Sequence, residues 1–308
     1  MRVFVAGASG AVGRELVPQL LERGHEVIGM TRSEAKASAI RDAGAEAVVC
    51  DALDADGLES VVVGARPEVV VGQLTDLPAK FTAKVDYGST SRLRVEGGAN
   101  LARASRAAGA RRLIIQSIAF LYAPGSGILS ETDPAFDAAP PPFDGAVRGA
   151  LAGEQKAIKA EGVEGIVLRY GFFYGPGTYY AADGSLAQEV RKRRFPVVGD
   201  GGGVNSFIHV ADAAGATVAA LDNGKPGIYN VCDDEPAPVR DWLPVYAEAL
   251  GARPPLRIPA WLARPLAGKL GVYFMTGLAG ADNAKAKRDL EWAPRYESWR
   301  RGFRAALG

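Results

Sequence analysis

The run Gly7-Ala8-Ser9-Gly10-Ala11-Val12-Gly13 has the residue types and spacing of a pyrophosphate cradle. It follows the β-branched run Arg2-Val3-Phe4-Val5-Ala6 and opens a helical pattern, Val12–Glu22, with Val12, Leu16, Leu20 and Leu21 on one side. In a strand–loop–helix context the early glycines permit a tight turn and close backbone approach. The helix N-terminus offers free N–H groups to an anion, and the last glycine lets helix and strand pack closely. The spacing predicts a nicotinamide dinucleotide held by Gly7, Ser9, Gly10, Ala11, Val12 and Gly13.

Further partners follow at the ends of later strands. After the second strand an acidic residue would accept hydrogen bonds from the adenosine ribose and favour NAD. Here Ile28-Gly29-Met30 leads into Thr31-Arg32-Ser33 instead. Arg32 suits a 2′-phosphate, and Thr31 and Ser33 can donate to it, which points to NADP, with NAD as the other cofactor. Asp51-Ala52 is placed to meet the adenine edge, although Asp51 also reads as a cap before Leu53. Gln73 and Leu74 pass the nicotinamide-side ribose, and Gln116 and Tyr170 complete the expected cofactor set.

These residues need a parallel sheet behind them. Strands are expected at Val3–Ala6, Glu26–Met30, Ala47–Cys50, Glu68–Gly72, Leu113–Gln116 and Gly165–Arg169, several of them apolar on successive residues, as strands covered on both faces are. Helices alternate with them, including Arg94–Ala108, and Pro18 is expected to kink the first helix or loosen a turn. A helix is expected around Leu186–Arg194, a short strand at Ser206–His209, a helix at Ala211–Leu221 and a last strand at Ile228–Val231. From Pro236 onward the pattern is helical and proline-punctuated, without further β alternation. The expected fold is α/β, a Rossmann-type doubly wound parallel sheet with a smaller, mostly helical C-terminal lobe. Residues 1–173 plus 206–232 form the dinucleotide domain; residues 174–205 plus 233–308 form the substrate lobe.

The bulk properties narrow the function. The 308 residues are 48% hydrophobic and 23% charged with a net charge of +1, so no overall field recruits nucleic acid or an anionic membrane. The basic run Arg191-Lys192-Arg193-Arg194 reads as the solvated end of a helix. Cys50 and Cys232 lie far apart in apolar runs and read as buried structural thiols. Two histidines cannot build a histidine-rich metal site, and no metal is expected. No signal pattern and no apolar run of the roughly 20 residues a membrane span needs are present, so the expected place is the cytoplasm.

The chain resembles the extended and atypical short-chain dehydrogenase/reductases, the group that includes NAD-dependent epimerase/dehydratases. The similarity rests on the glycine motif, Asp51-Ala52, Gly97-Gly98-Ala99-Asn100-Leu101, Leu168-Arg169-Tyr170-Gly171, Tyr174-Gly175-Pro176-Gly177 and Phe207-Ile208-His209-Val210-Ala211-Asp212. The resemblance implies a catalytic serine or threonine, a tyrosine that exchanges a proton with the substrate, and a lysine four residues later that lowers its pKa and holds the nicotinamide ribose. In the frame of Ala146–Glu154, Ala146 stands at the tyrosine position and Ala150 at the lysine position. Counting back from Tyr122 puts Ile118 at the serine position, with Ser117 beside it.

A reductase with a non-standard proton donor is therefore expected, acting on a small carbonyl compound or reducible double bond. Tyr122 is the first candidate donor, followed by Tyr174, with Ser117 and Tyr87 as others, while His209 reads better as structural. The alternatives are an epimerase, dehydratase or isomerase that retains its nicotinamide, and a non-catalytic NADP-binding sensor or scaffold. Tyr174, Tyr179 and Tyr180 suggest a pocket for an apolar or aromatic small molecule, and the chain leaves room for a homodimer.

Overall fold

A computed structural model describes residues 1–78, 80–81, 86–125 and 127–307. Strands β1 (Arg2–Ala6), β2 (Glu26–Thr31), β3 (Glu46–Val49), β4 (Val69–Gly72), β5 (Arg112–Ile118) and β6 (Glu164–Tyr170) alternate with helical segments. These are α1 (Ala11–Glu22), α2 (Glu34–Asp42), α3 (Ala55–Ala65), α4 (Gly88–Arg92), a π-helical turn (Leu93–Gly97) continuing into α5 (Gly98–Ala107), and α6 (Phe143–Ile158). Next come β7 (Phe172–Tyr174), α7 (Ser185–Arg191), β8 (Val197–Val198), β9 (Val204–Asn205), β10 (Phe207–His209), α8 (Val210–Ala219) and β11 (Gly227–Val231). The last elements are β12 (Ala237–Pro238), α9 (Val239–Ala249), β13 (Arg257–Ile258), α10 (Ala260–Thr276), α11 (Ala284–Asp289) and α12 (Trp299–Leu307).

Seven strands form one sheet in the order β11-β6-β5-β4-β1-β2-β3, with every neighbouring pair parallel. The order reverses between β1 and β4, which opens a crevice at the C-terminal strand ends, where such sheets bind ligands. Successive residues of each strand serve opposite faces. Val3 and Val5 pack with Leu16, Ile166 and Ala213, whereas Phe4 and Ala6 pack with Val62, Val70 and Leu101. Burial on both faces explains why the strands read as continuous apolar runs.

The first six strands begin and end within two residues of their expected limits. The expected single helix Arg94–Ala108 is instead a composite that starts at Gly88 and carries the π-helical turn. The π turn passes into α5 at Gly97-Gly98, two residues without side chains to crowd the change of pitch. Helix α6 lies close against it. A β-carbon on Gly149 would stand 2.8 Å from Ser91 Cβ, and one on Gly153 would stand 2.8 Å from the Arg94 carbonyl oxygen. Helix α1 runs on through Pro18 without interruption.

The tail is not purely helical as expected. β12 pairs antiparallel with β9, and β13 pairs parallel with β8. Each pairing covers only two residues, too short for a period-two signal. The aromatic core of this part gathers Tyr174, Tyr180, Phe207, Trp242, Tyr246, Trp299 and Phe303. Phe303 of α12 stands 4.8 Å from the Tyr246 ring, 5.1 Å from Tyr174 and 5.3 Å from Phe207. Cys232 is buried as expected, but Cys50 is half-exposed because it follows β3 at the edge of the sheet. Among the described residues no helix is long and apolar enough to cross a membrane.

Candidate active site

The glycine loop fits a dinucleotide pyrophosphate on steric grounds. Gly7 has φ +89°, and a β-carbon there would meet the Gln73 carbonyl oxygen at 2.4 Å. A β-carbon on Gly13 would meet the carbonyl oxygens of Gly7 and Ala8 at 2.4 and 2.5 Å. Gly10, by contrast, is exposed at the N-terminus of α1, and a β-carbon there would touch only Gly7 O, at 3.3 Å. Gly7 and Gly13 are thus glycines because protein fills the space around them, whereas Gly10 keeps a surface open. Ser9 Oγ and Thr31 Oγ1, 3.1 Å apart, tie this loop to the end of β2.

Past the end of β2, Arg32 Nη2 donates to Asp76 Oδ1 at 3.0 Å, both groups being solvent-exposed. Ser33 stands at the N-terminus of α2 without a side-chain capping bond. Asp51 Oδ1 accepts from Leu53 N, while the cap of α3 is Asp54. Ala52 is buried, and its carbonyl accepts from Asn100 Nδ2. Gln116 Nε2 donates to the Leu74 carbonyl at 2.9 Å, joining the ends of β5 and β4. Gln73 and Tyr170 are both buried: Gln73 Nε2 donates to Tyr170 Oη, which also bonds Thr217 Oγ1. Gln73 Oε1 is covered and has no partner among the described residues.

Beneath the strand ends of β5 and β6 lies a buried polar network. Arg169 donates through Nε to Glu154 Oε1 at 2.8 Å and through Nη2 to Oε2 at 2.7 Å. Ser117 Oγ donates to the same carboxylate at 2.6 Å. Arg169 Nη1 donates to Tyr122 Oη at 2.9 Å, and Tyr122 Oη donates to Asn230 Oδ1 at 2.7 Å. The Tyr122 hydroxyl is therefore engaged in both directions and 1% exposed, and burial pushes its pKa up to about 12. Tyr174 is covered too. Its hydroxyl has no partner among the described residues and points at Gly302 of α12, and burial raises its pKa well above the ordinary phenol value.

The aromatic loop is not the lined pocket the sequence suggests. Tyr174 and Tyr180 turn into the core against Phe303, and the Tyr179 hydroxyl donates to the Pro78 carbonyl. Half-exposed aromatic rings gather elsewhere. Phe120 and Phe172, each two residues beyond the end of its strand, stack at 4.2 Å. Phe143 lies 5.1 Å from Phe274 and 6.0 Å from Tyr87. Ala146 and Ala150 are buried in this same apolar group with Ile118 and Val147. Burial pushes Tyr87 up to about 12. The aromatic wall went unrecognised because its members come from five separate segments; the shared position of Phe120 and Phe172 after β5 and β6 was the available signal.

His209 Nδ1 accepts from Ala211 N and caps α8, while its ring packs 4.4 Å from that of Tyr296. Burial, assisted by Arg295, lowers its pKa to about 4.

The parallel sheet carries a glycine loop at its reversal point and an aromatic cluster past the ends of β5 and β6, the layout of a dinucleotide-binding enzyme. Residues 3–232 match the NAD dependent epimerase/dehydratase family, and the chain belongs to that family. It is 46% identical over 305 residues to a "3-diazoavenalumate denitrifying reductase" from a Streptomyces species, spanning 98% of this chain and 99% of that protein. It is 26% identical over 317 aligned positions to a "4-hydroxy-2-methyl-3-oxo-4-farnesyl-3,4-dihydroquinoline-1-oxide ketoreductase" from Stigmatella aurantiaca, covering 96% and 92% of the two chains. UDP-glucose 4-epimerase from Thermus thermophilus, solved in complex with NAD, superposes with a TM-score of 0.77 at 26% identity, covering 100% of this chain and 98% of that one. The chain is an oxidoreductase that acts on a small molecule.

Two outcomes follow from this geometry. Tyr122→Phe removes a hydroxyl bonded at both ends, so equilibrium unfolding in urea should show a loss of about 1–3 kcal/mol. Cofactor titration should give an unchanged Kd, and a tenfold weaker Kd would show that Tyr122 reaches the ligand. For His209 the folded pKa lies below the unfolded value, so the unfolded chain binds the proton first. That stability is present above pH 6.5 and is lost as the pH falls towards 4. His209→Asn keeps a capping acceptor without titrating in this window, so between pH 6.5 and 4.5 it should lose less stability than the parent chain. Equal losses would contradict the assignment.

Proposed function

We propose that this enzyme is an NADPH-dependent reductase of a small aromatic substrate bearing a diazo group, which it reduces with loss of dinitrogen. The observation that carries this reading is the apolar setting of Ala146 and Ala150, where the family resemblance would put a proton-donating tyrosine and a lysine. The 46% identity to a reductase named for a diazo compound and for denitrification supports it.

Gly7, Ser9, Gly10, Ala11, Val12 and Gly13 hold the pyrophosphate in this reading. Thr31, Arg32 and Ser33 take the 2′-phosphate, Asp51 and Ala52 the adenine edge, and Gln73, Leu74, Gln116 and Tyr170 line the nicotinamide side. When bound, the reduced nicotinamide supplies a hydride; on a diazonium carbon its electron pair forms the C–H bond, the C–N pair leaves with dinitrogen, and no proton is drawn from the protein. The chain's task is then to bind, orient and keep water out. The half-exposed rings of Phe120, Phe172 and Phe274 offer stacking faces that suit a flat, cationic group. A lysine at position 150 would repel such a group, and alanine does not. Ser117 and Tyr122 hold the frame, and Tyr174 fills the lobe core. The lobe comprises residues 174–205 and 233–308. Exposed Trp261, Leu262 and Leu266 at the start of α10 are the surface on which a homodimer would close.

The second reading is a carbonyl or double-bond reductase, supported by Tyr87 beside Phe143 at the aromatic wall, where it is the hydroxyl best placed to donate. An arenediazonium carboxylate labelled with nitrogen-15 separates the two readings. Labelled dinitrogen should appear one-for-one with NADPH consumed, and deuterium from NADPH labelled at C4 should enter the product C–H bond. Gly10→Val, which crowds the cradle, serves as the inactive control. Turnover of ketones with no dinitrogen from the diazonium salt would replace this reading with the second.

The NADP preference has its own test, because an exposed ion pair such as Arg32–Asp76 is worth only about 0–1 kcal/mol and yields readily to a phosphate. Arg32→Ala should raise the NADPH Kd by about tenfold or more, the scale of a charge-assisted bond, and leave NADH nearly unchanged. Asp76→Ala should tighten NADPH. Equal effects on both cofactors would sink the assignment.

A further inference from the structure

Arg94 is the one element of the site without an evident task. It sits in the π-helical turn, a type of distortion that recurs at functional sites. The residue is half-buried and its Nε is covered and unpartnered. Its guanidinium enters no ion pair or hydrogen bond among the described residues. The nearby carboxylate of Glu154 already takes Arg169 and Ser117. Burial accordingly draws its pKa down to about 10, with Glu154 only partly offsetting the effect. A covered N–H without an acceptor is costly, and the fork that carries the Arg94 Nε calls for an acceptor from outside the chain.

The position of that acceptor follows from the small cavity beside Arg94. Its lining includes Leu74 just past β4, Ile115 and Gln116 of β5, and Ala150 and Glu154 of α6. Ala150, where the family resemblance would put a lysine, is part of that lining. Gly153 lets α6 come close enough for the Arg94 backbone to lie against it.

We infer that Arg94 occupies the space vacated at Ala150 and holds the nicotinamide-side ribose of the bound dinucleotide, its fork meeting the vicinal diol. The cation that the family resemblance would place on α6 is thus supplied from the helix opposite. Because it arrives from the α5 side, it binds the ribose while staying clear of the aromatic wall, where a cationic substrate would be repelled. This inference rests on the reading of the glycine loop as a dinucleotide cradle.

The test compares two ligands on the intact protein, NADPH and adenosine 2′,5′-bisphosphate, the second of which lacks the nicotinamide half. Arg94→Met keeps the packing of the stem and removes the donors. It should raise the Kd for NADPH about tenfold or more, as expected for a lost charge-assisted contact, and leave that of the bisphosphate within about twofold. Arg94→Gln, which keeps a polar head, should show the same contrast more weakly and serves if the methionine variant does not fold. Adding Ala150→Lys to Arg94→Met should restore NADPH binding to within about threefold of the parent. The inference is overturned if NADPH affinity ignores Arg94, if both ligands weaken equally, or if Lys at position 150 recovers nothing. A change confined to the KM of the aromatic substrate would also overturn it, by moving Arg94 to a substrate carboxylate. A parent chain that binds neither ligand would overturn the cradle reading and this inference together.

Discussion

The site depends on one buried ion pair, Glu154 with Arg169. It joins α6 to β6 through two parallel N–H···O bonds, and Ser117 of β5 adds a third contact to the same carboxylate. Both side chains are almost fully covered, so each charge is tolerated only in the presence of the other. The pair fixes the height of α6 against the sheet, and with it the level at which Ala146 and Ala150 stand beside the strand ends. Tyr122 and Asn230 extend the same network to β11, so the far edge of the sheet is held in register with the helix.

Around this clamp the polar and apolar parts of the cleft are segregated. Charge is concentrated in the buried Glu154–Arg169 network and at the exposed end of β2, where Arg32 meets Asp76. The wall between is aromatic, from Phe120 to Phe172, Phe143 and Phe274. Low polarity there strengthens any electrostatic contact a ligand makes and disfavours ionising a phenol, as the raised values at Tyr87 and Tyr122 indicate. A reaction that moves a hydride and expels a neutral molecule suits such a wall better than one that needs a proton relay.

Much of the frame was legible because its signals are local. Continuous apolar runs such as Val69–Gly72 fit strands covered on both faces, and Gly7 and Gly13 carried their own steric reason. Residue type alone said less about the site. Tyr122 follows β5 closely, yet the direction of its side chain depends on Arg169 and Asn230, which are distant in sequence. Tyr174 and Tyr180 looked like pocket lining, but α12 covers them, and no local pattern announces that contact. The π-helical turn at Leu93–Gly97 was equally hidden, since its two flanks, rich in small residues, carry too few large apolar ones for a shift in phase to show.

The docking of α12 has a consequence for how the chain comes to its fold. Phe303 closes the aromatic core formed by Tyr174, Tyr180, Phe207 and Tyr246, residues that leave the ribosome well before it. At ribosomal speeds of roughly 5–20 residues per second, the interval between Tyr174 and Phe303 lasts on the order of ten seconds. All seven strands of the sheet are synthesised by Val231 and can pair during synthesis, while these rings remain without their lid. The nascent chain is therefore most adhesive after its nucleotide half has been built, and a helper that shields aromatic surface would act on that late, half-finished form.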